Sequence, residues 1–244
     1  MVGNEEYVMF VGITSYKIHE DEKLLNLTKR CINVTNRQSS MTLVVDDSSK
    51  IPNDFFKNVH IANVSFKNVA KSLNLILEIA FEWMDLDSCV IINNDVILQP
   101  LCLERLSSYV KENPRLLFIS AKEVCEHKNF PFSAFYMKKS LYEHIGKFDE
   151  GFSFSYVDTD YVLRMKEKRP KGAILFNCGE FPIHHETSST TKLIQKNGEL
   201  DERNRKDDLY LLEKWGLEPI ISDGNLHRKG YFVDKSGNEF SLKF

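Results

Sequence analysis

In the stretch VIINNDVILQP, residues 90–100, an apolar run stops on two asparagines and an aspartate, resumes for three residues and closes on Pro100. The run before the polar triplet reads as a buried strand. The triplet itself has two readings. Asn-Asn-Asp makes a good Asx turn. Alternatively, the strand delivers the Asp95 carboxylate to a cleft.

The surrounding sequence places this strand in a series. YVMFVGIT (7–14) is a β-branched and aromatic run that ends in a loop, and MTLVVDDSS (41–49) is a second strand closed by acids and serines. CVIINNDVIL (89–98) and RLLFISA (115–121) are two more. Between them lie helical spacings: Leu24, Leu27, Cys31 and Val34 in one segment, and Val69, Leu73, Ile76, Leu77 and Ala80 in residues 68–84. PLCLERLSSYVKEN is a further helix with proline near its start. Strands alternating with helices predict an α/β fold with a mainly parallel central sheet and helices on both faces. Ligands of such sheets bind at the carboxyl ends of the strands, where Asp46, Asp47 and Asp95 sit. Without a repeat or a low-complexity linker, residues 1–244 read as one domain, with a less regular C-terminal part from about residue 190.

Composition is that of an ordinary globular chain: 42% hydrophobic, 27% charged and a formal net charge of −3, which does not favour nucleic acid as a partner. No apolar run reaches the roughly 18 residues of a membrane span, and the start lacks the basic region of a signal peptide. Five scattered cysteines without a CxxC pair fit reduced, buried thiols, so a cytoplasmic location is expected. No GxGxxG follows the first strand, and neither GxxxxGK[ST] nor GxSxG occurs, which argues against a dinucleotide-binding Rossmann domain, a P-loop and a hydrolase elbow.

The second half carries GKFDEGF (146–152) followed by YVDTDYVLRM (156–165). With these phrases the chain resembles the GT2 family of inverting glycosyltransferases of GT-A fold. That family has a G-x-F-D-E-x-F phrase, then E-D-x-D, an apolar pair and Arg. Gly146, Phe148, Asp149, Glu150, Phe152, Asp158, Asp160 and Arg164 fall at the matching places, with Val157 where the glutamate is usual. VVDDSS resembles the family's V-D-D/N-x-S strand end, INND stands at its D-x-D motif, IHHETSS at its His-x-x-x-S segment, and RNRKDDLYLLEKWG at its closing helix. The likeness spans roughly residues 7–216.

The resemblance implies a metal-assisted transferase that moves a sugar from a nucleoside diphosphate donor to an acceptor hydroxyl, such as one on a glycan, with inversion. Asp95 would be a ligand of Mn²⁺ or Mg²⁺. Asn93, in place of the motif's first acid, leaves Asp95 as its one charge. His184 or His185 would add a further ligand, the spacing fitting either. Asp46 or Asp47 would meet the nucleotide base, with Thr14 and Ser15 on the neighbouring strand end and Asn93 and Asn94 toward the nucleotide. Asp158 would be the general base, braced by Asp160 and Arg164. Each motif also has a plain structural reading, as a turn, a helix cap or a solvated face; the last covers Arg203 and Arg205. Two other functions stay open. One is a GT-A-shaped binding protein without catalysis, suggested by Asn93 and Val157. The other is a sugar nucleotidyltransferase, although GITSYKIHED lacks that class's Gly-rich, Arg-containing loop.

Overall fold

The computed structural model describes residues 9–52, 56–124, 132–186, 189–196, 198–222, 226–234 and 236–241. In chain order, the strands of its main sheet are β1 (Phe10–Tyr16), β2 (Met41–Asp47), β3 (His60–Val64), β4 (Ser88–Asn93), β5 (Val96–Leu98), β6 (Leu116–Glu123), β7 (Ala134–Lys138) and β8 (Ala173–His185). They lie side by side as β3-β2-β1-β4-β7-β6-β8-β5. The first four are parallel, β7 is inserted antiparallel between β4 and β6, β8 follows β6 in parallel, and β5 runs antiparallel along β8. The expected mainly parallel sheet is therefore present, with β5 and β7 as its reversed strands.

Alternation along the strands explains why they are apolar throughout. Val11, Ile13, Val44, Val90 and Ile92 pack on one face, under Leu24, Leu27 and Cys31 of α1 (Glu22–Asn36) and Leu103, Leu106 and Val110 of α3 (Cys102–Glu112). Their neighbours Phe10, Leu43, Val45 and Ile91 face the other way, onto Leu73, Ile76 and Leu77 of α2 (Val69–Leu77), Leu141 of α4 (Lys139–Ile145) and Tyr161 of α5 (Val157–Lys168). A strand buried on both faces has no polar side to show. The helix starts are capped as their sequences allow. Asp21 accepts from the Leu24 amide at 2.9 Å, and Asn68 from the Lys71 amide at 3.0 Å.

Three expectations change. The run 89–98 is not one strand. It breaks after Asn93, and β5 rejoins the sheet beside β8, away from β4. The helix over 68–84 holds as α2 to Leu77 and then widens into π-type turns over Glu78–Trp83. From about residue 190 the described residues form α6 (Ser189–Lys196), α7 (Leu200–Trp215) and a small antiparallel sheet of β9 (Leu217–Ser222), β10 (Leu226–Asp234) and β11 (Glu239–Ser241). The apolar pattern of α7 is weak because part of its buried side is polar, with Asp207 as covered as Leu211. Among the described residues no helix is long and apolar enough to cross a membrane.

Helix α2 approaches β1 closely at Gly12. A Cβ there would lie 2.2 Å from Cγ2 of the buried Ile76. Gly12→Ala is expected to overpack this contact and lower stability by about 1–3 kcal/mol, read as a lower urea midpoint with an unchanged slope.

Candidate active site at the carboxyl edge of the sheet

Strands β1, β2 and β4 end together, with Ser15 beside Asp46 and Thr14 beside Asn93. Thr14 Oγ1 donates to Asn93 Oδ1 at 3.3 Å, and Ser15 Oγ to Asp46 Oδ1 at 2.9 Å. The second oxygen of Asp46 accepts from the Ile51 amide at 3.3 Å. Asp47 accepts from Ser48 Oγ at 2.8 Å and from the Asn68 amide at 3.3 Å. Both aspartates are buried and engaged on both oxygens. Lys17 and Ser48, which follow these strand ends, hold left-handed φ values of 48° and 73°, a conformation that costs a non-glycine residue about 1–3 kcal/mol. Such strain persists where surrounding contacts impose it.

Asn94 is buried in the turn. Its amide nitrogen reaches the Thr14 carbonyl at 3.2 Å, and its side chain donates to Thr28 Oγ1 of α1 at 2.9 Å. The side-chain amide is thus committed to fastening the turn onto α1. That turn presents Asp95, whose carbonyl accepts from the Glu186 amide at 3.0 Å. Antiparallel pairing of Val96 with His185 then places the His185 ring against the Asp95 carboxylate, Nε2 to Oδ1 at 3.2 Å. The other ring nitrogen meets Glu123 Oε1 at the end of β6, at 2.9 Å. Side-chain exposure of Asp95, His185 and Glu123 is 7%, 7% and 2%. Burial pulls the His185 pKa down, but the two carboxylates outweigh it and hold the value above that of an ordinary histidine. Adjacent residues of a strand face opposite ways, so His184 turns elsewhere, pairing with Glu186 at 3.2 Å with its side chain 36% exposed. Of the two histidines, His185 joins Asp95. Thr187, which follows the pair, lies outside the described residues.

The second group of acids surrounds α5. Asp158 Oδ1 accepts from the Thr159 amide at 2.7 Å, and its Oδ2 has no hydrogen-bond partner among the described residues. Asp160 is fully buried. One of its oxygens accepts from Arg164 Nε at 2.8 Å, the other from Trp215 Nε1 at 2.9 Å, with Lys214 Nζ at 2.6 Å. The expected bracing of Asp158 by Asp160 and Arg164 is not what these contacts make. Residues two apart on a helix point roughly 200° from each other, so Asp160 faces α7 instead. Arg164 reaches the Ile145 carbonyl at the end of α4, at 3.2 Å. Asp149 joins the same corner through Lys214 and Tyr210. Its carboxyl is raised by burial, yet the Lys214 ammonium and the Gly151 and Tyr210 donors leave it below the usual range.

Three further polar residues organise the approach to Asp158. Asp207 of α7 accepts from the backbone amides of Ser153, Phe154 and Ser155 at 3.0, 2.8 and 2.7 Å. Asn74 of α2 holds Phe148 at both its amide (2.8 Å) and its carbonyl (3.0 Å). Tyr156, at a left-handed φ of 61° directly before α5, donates to Asp208 at 2.7 Å. A lone Asn inside the apolar run SLNLIL is the one signal that could have flagged Asn74. Nothing local marks Asp207 apart from the other charges of its helix. Arg203 does not belong to a solvated face: it reaches the Tyr16 hydroxyl at 2.6 Å and Glu199 at 3.0 Å, beside the Lys17–Glu199 pair at 2.7 Å.

No protein-family model matches the chain, and no curated protein matches it in sequence. Solved structures do. The S. aureus TarS structure is 12% identical over 85% of this chain and 44% of its own, with a TM-score of 0.54. TarS 1–349 in complex with UDP is 14% identical over 84% of this chain and 71% of its own, with a TM-score of 0.50. The mannosyltransferase PcManGT from Pyrobaculum calidifontis, in complex with GDP-Man and Mn²⁺, is 14% identical over 82% of this chain and 64% of its own, with a TM-score of 0.51. The chain thus spans less than half of the longer TarS chain and about two thirds of the mannosyltransferase. These likenesses show the fold, and the chain has the GT-A fold.

The two acids of α5 should separate cleanly by substitution. Asp160→Asn leaves Arg164 and Lys214 facing a neutral group in a buried corner. It is expected to cost about 3–5 kcal/mol, a fall in melting temperature of at least about 6 °C at roughly 2–4 °C per kcal/mol. Asp158→Asn, which can keep its contacts to Thr159 through one oxygen, should melt within about 2 °C of the parent. Differential scanning calorimetry reads both.

Proposed function

We propose that the chain is an inverting glycosyltransferase that moves a sugar from a nucleoside diphosphate-sugar to an acceptor hydroxyl, assisted by Mn²⁺ or Mg²⁺. The observation that carries this reading is the meeting of Asp95 Oδ1 and His185 Nε2, 3.2 Å apart, at the carboxyl edge of a GT-A sheet. Among the described residues no group of three or more His, Cys, Asp and Glu side chains is disposed to hold a metal ion alone. An oxygen and an imidazole nitrogen, both nearly buried, fit a cation that completes its coordination with substrate phosphate oxygens and water, as Mg²⁺ and Mn²⁺ commonly do. Asp95 and His185 would hold the ion. Its chemistry there is to offset the charge that gathers on the diphosphate as the sugar leaves. PcManGT, of the same fold, was solved with GDP-Man and Mn²⁺.

The protein's own groups supply the rest. Thr14, Ser15, Asn93 and one of Asp46 and Asp47 form the edge against which the nucleoside would lie. Asp158 is the base. Among the buried and half-buried acids 149, 158, 160 and 207, it alone keeps a carboxylate oxygen without a partner in the described structure. Direct displacement requires the acceptor hydroxyl to lose its proton as it attacks, and that oxygen can take it. The Asp207-held loop and Tyr156 fix where α5 begins and so where Asp158 stands.

Mn²⁺ with a panel of nucleoside diphosphates should raise the melting temperature for one base over the others, by mass action. Asp158→Asn should cut transfer by roughly 10²–10⁴-fold while leaving that nucleotide's affinity within about twofold. Unchanged transfer would remove Asp158 from the chemistry. A panel in which no nucleotide shifts the melt would remove the donor reading.

A further inference from the structure

We infer that Glu123 is a positioning residue that aims His185 at the cation proposed above, an inference that rests on that reading. The strand ends make the argument. β6 runs parallel to β8 with Glu123 beside Ile183, and the Val124 amide donates to the Ile183 carbonyl at 2.9 Å. This registers Glu123 against Ile183, two residues before His185. Alternation along β6 sends Lys122 and Val124 outward and Glu123 inward. Its side chain is 2% exposed and meets His185 Nδ1 at 2.9 Å, its one ion-pair partner among the described residues.

A buried carboxylate is costly unless it is paired, and here the pair is an imidazole whose far side faces Asp95 at 3.2 Å. The Glu123 carboxylate can only accept, so Nδ1–H donates to it and Nε2 is left turned to Asp95. An acceptor behind the ring is the arrangement that fixes tautomer and orientation of a metal-binding histidine. Glu123 lies on the opposite side of the ring from Asp95, so it acts through His185 rather than as a ligand. With Asn93 bonded to Thr14 in place of the acid expected first in its motif, holding the remaining two donors in place matters more.

The test is Mn²⁺ titrated alone, with the free ion followed by electron paramagnetic resonance, on the full chain and its variants. Glu123→Ala should weaken Mn²⁺ binding by roughly 10–100-fold, the range for lost outer partners of metal-binding histidines. Glu123→Gln, whose amide oxygen can still accept from Nδ1, should recover most of it. His185→Ala should lose at least as much, and adding Glu123→Ala to it should change little further, because the residue would act through the ring. Should Glu123→Ala fail to fold, Glu123→Met fills the space without an acceptor and should lose affinity in the same way. Wild-type affinity in folded Glu123→Ala or Glu123→Met, or a full additional loss in the double variant, would overturn the inference while leaving the metal reading intact. Wild-type affinity in His185→Ala and Asp95→Ala would instead overturn the metal reading, and this inference with it.

Discussion

The carboxyl edge of the sheet depends on a chain reversal two residues long. Strand β4 runs through the middle of the sheet, stops at Asn93, and the chain re-enters the sheet at Val96 beside β8. Asn94 fastens the reversal to β1 through its backbone and to α1 through its side chain. The Glu186 amide closes it from the other side. With those anchors the Asp95 side chain has one place to be, and the β5–β8 register brings His185 rather than His184 to it. Slipping that pairing by one residue would exchange the two histidines, because the side-chain period of a strand is two.

A second set of contacts radiates from α7. This helix is rich in charge, and its buried side works with polar groups rather than apolar ones. Asp207 receives three successive backbone amides of the loop before α5, and Lys214 and Trp215 close on Asp160. The loop is held from its other end by Asn74 of α2 and through Asn68, which links the Asp47 strand end to the Glu150 carbonyl. The buried carboxylates of this corner, Asp160 and Asp207, are each met by donors on both oxygens, as buried charge requires. The left-handed Tyr156 persists because the contacts around it leave no alternative. The start of α5 is therefore placed from three sides, and the candidate base sits on its first turn.

A GT-A sheet by itself says little about chemistry, since folds carry functions only through their sites. What distinguishes this edge is which of its groups are already engaged. Asp46, Asp47, Asp160 and Asp207 have both carboxylate oxygens occupied. Among the described residues, Asp158 keeps one oxygen unengaged, and Asp95 has a single ion pair, with a histidine. That division between engaged and available carboxylates separates acids that look alike in sequence.

The alternation of β-branched runs and helical spacings was enough to predict an α/β sheet, because strands buried on both faces must be apolar at every position and helices packed on one side must repeat at 3.6 residues. The acids at the strand ends could be singled out for a similar reason: ligands of a parallel sheet bind where the strands stop. The sequence alone could not separate His184 from His185, nor show that Asp160 turns away from Asp158. Each such pair is adjacent or nearly so in the chain, and the choice depends on strand register and helix rotation. Nor could it mark Glu123 or Asp207, and for Asn74 it offered only a lone polar residue in an apolar run. Glu123 meets a partner 62 residues away, and Asn74 one 74 residues away. Those distances close only when β6 lies against β8 and α2 against the loop, so the roles of these residues belong to the tertiary structure.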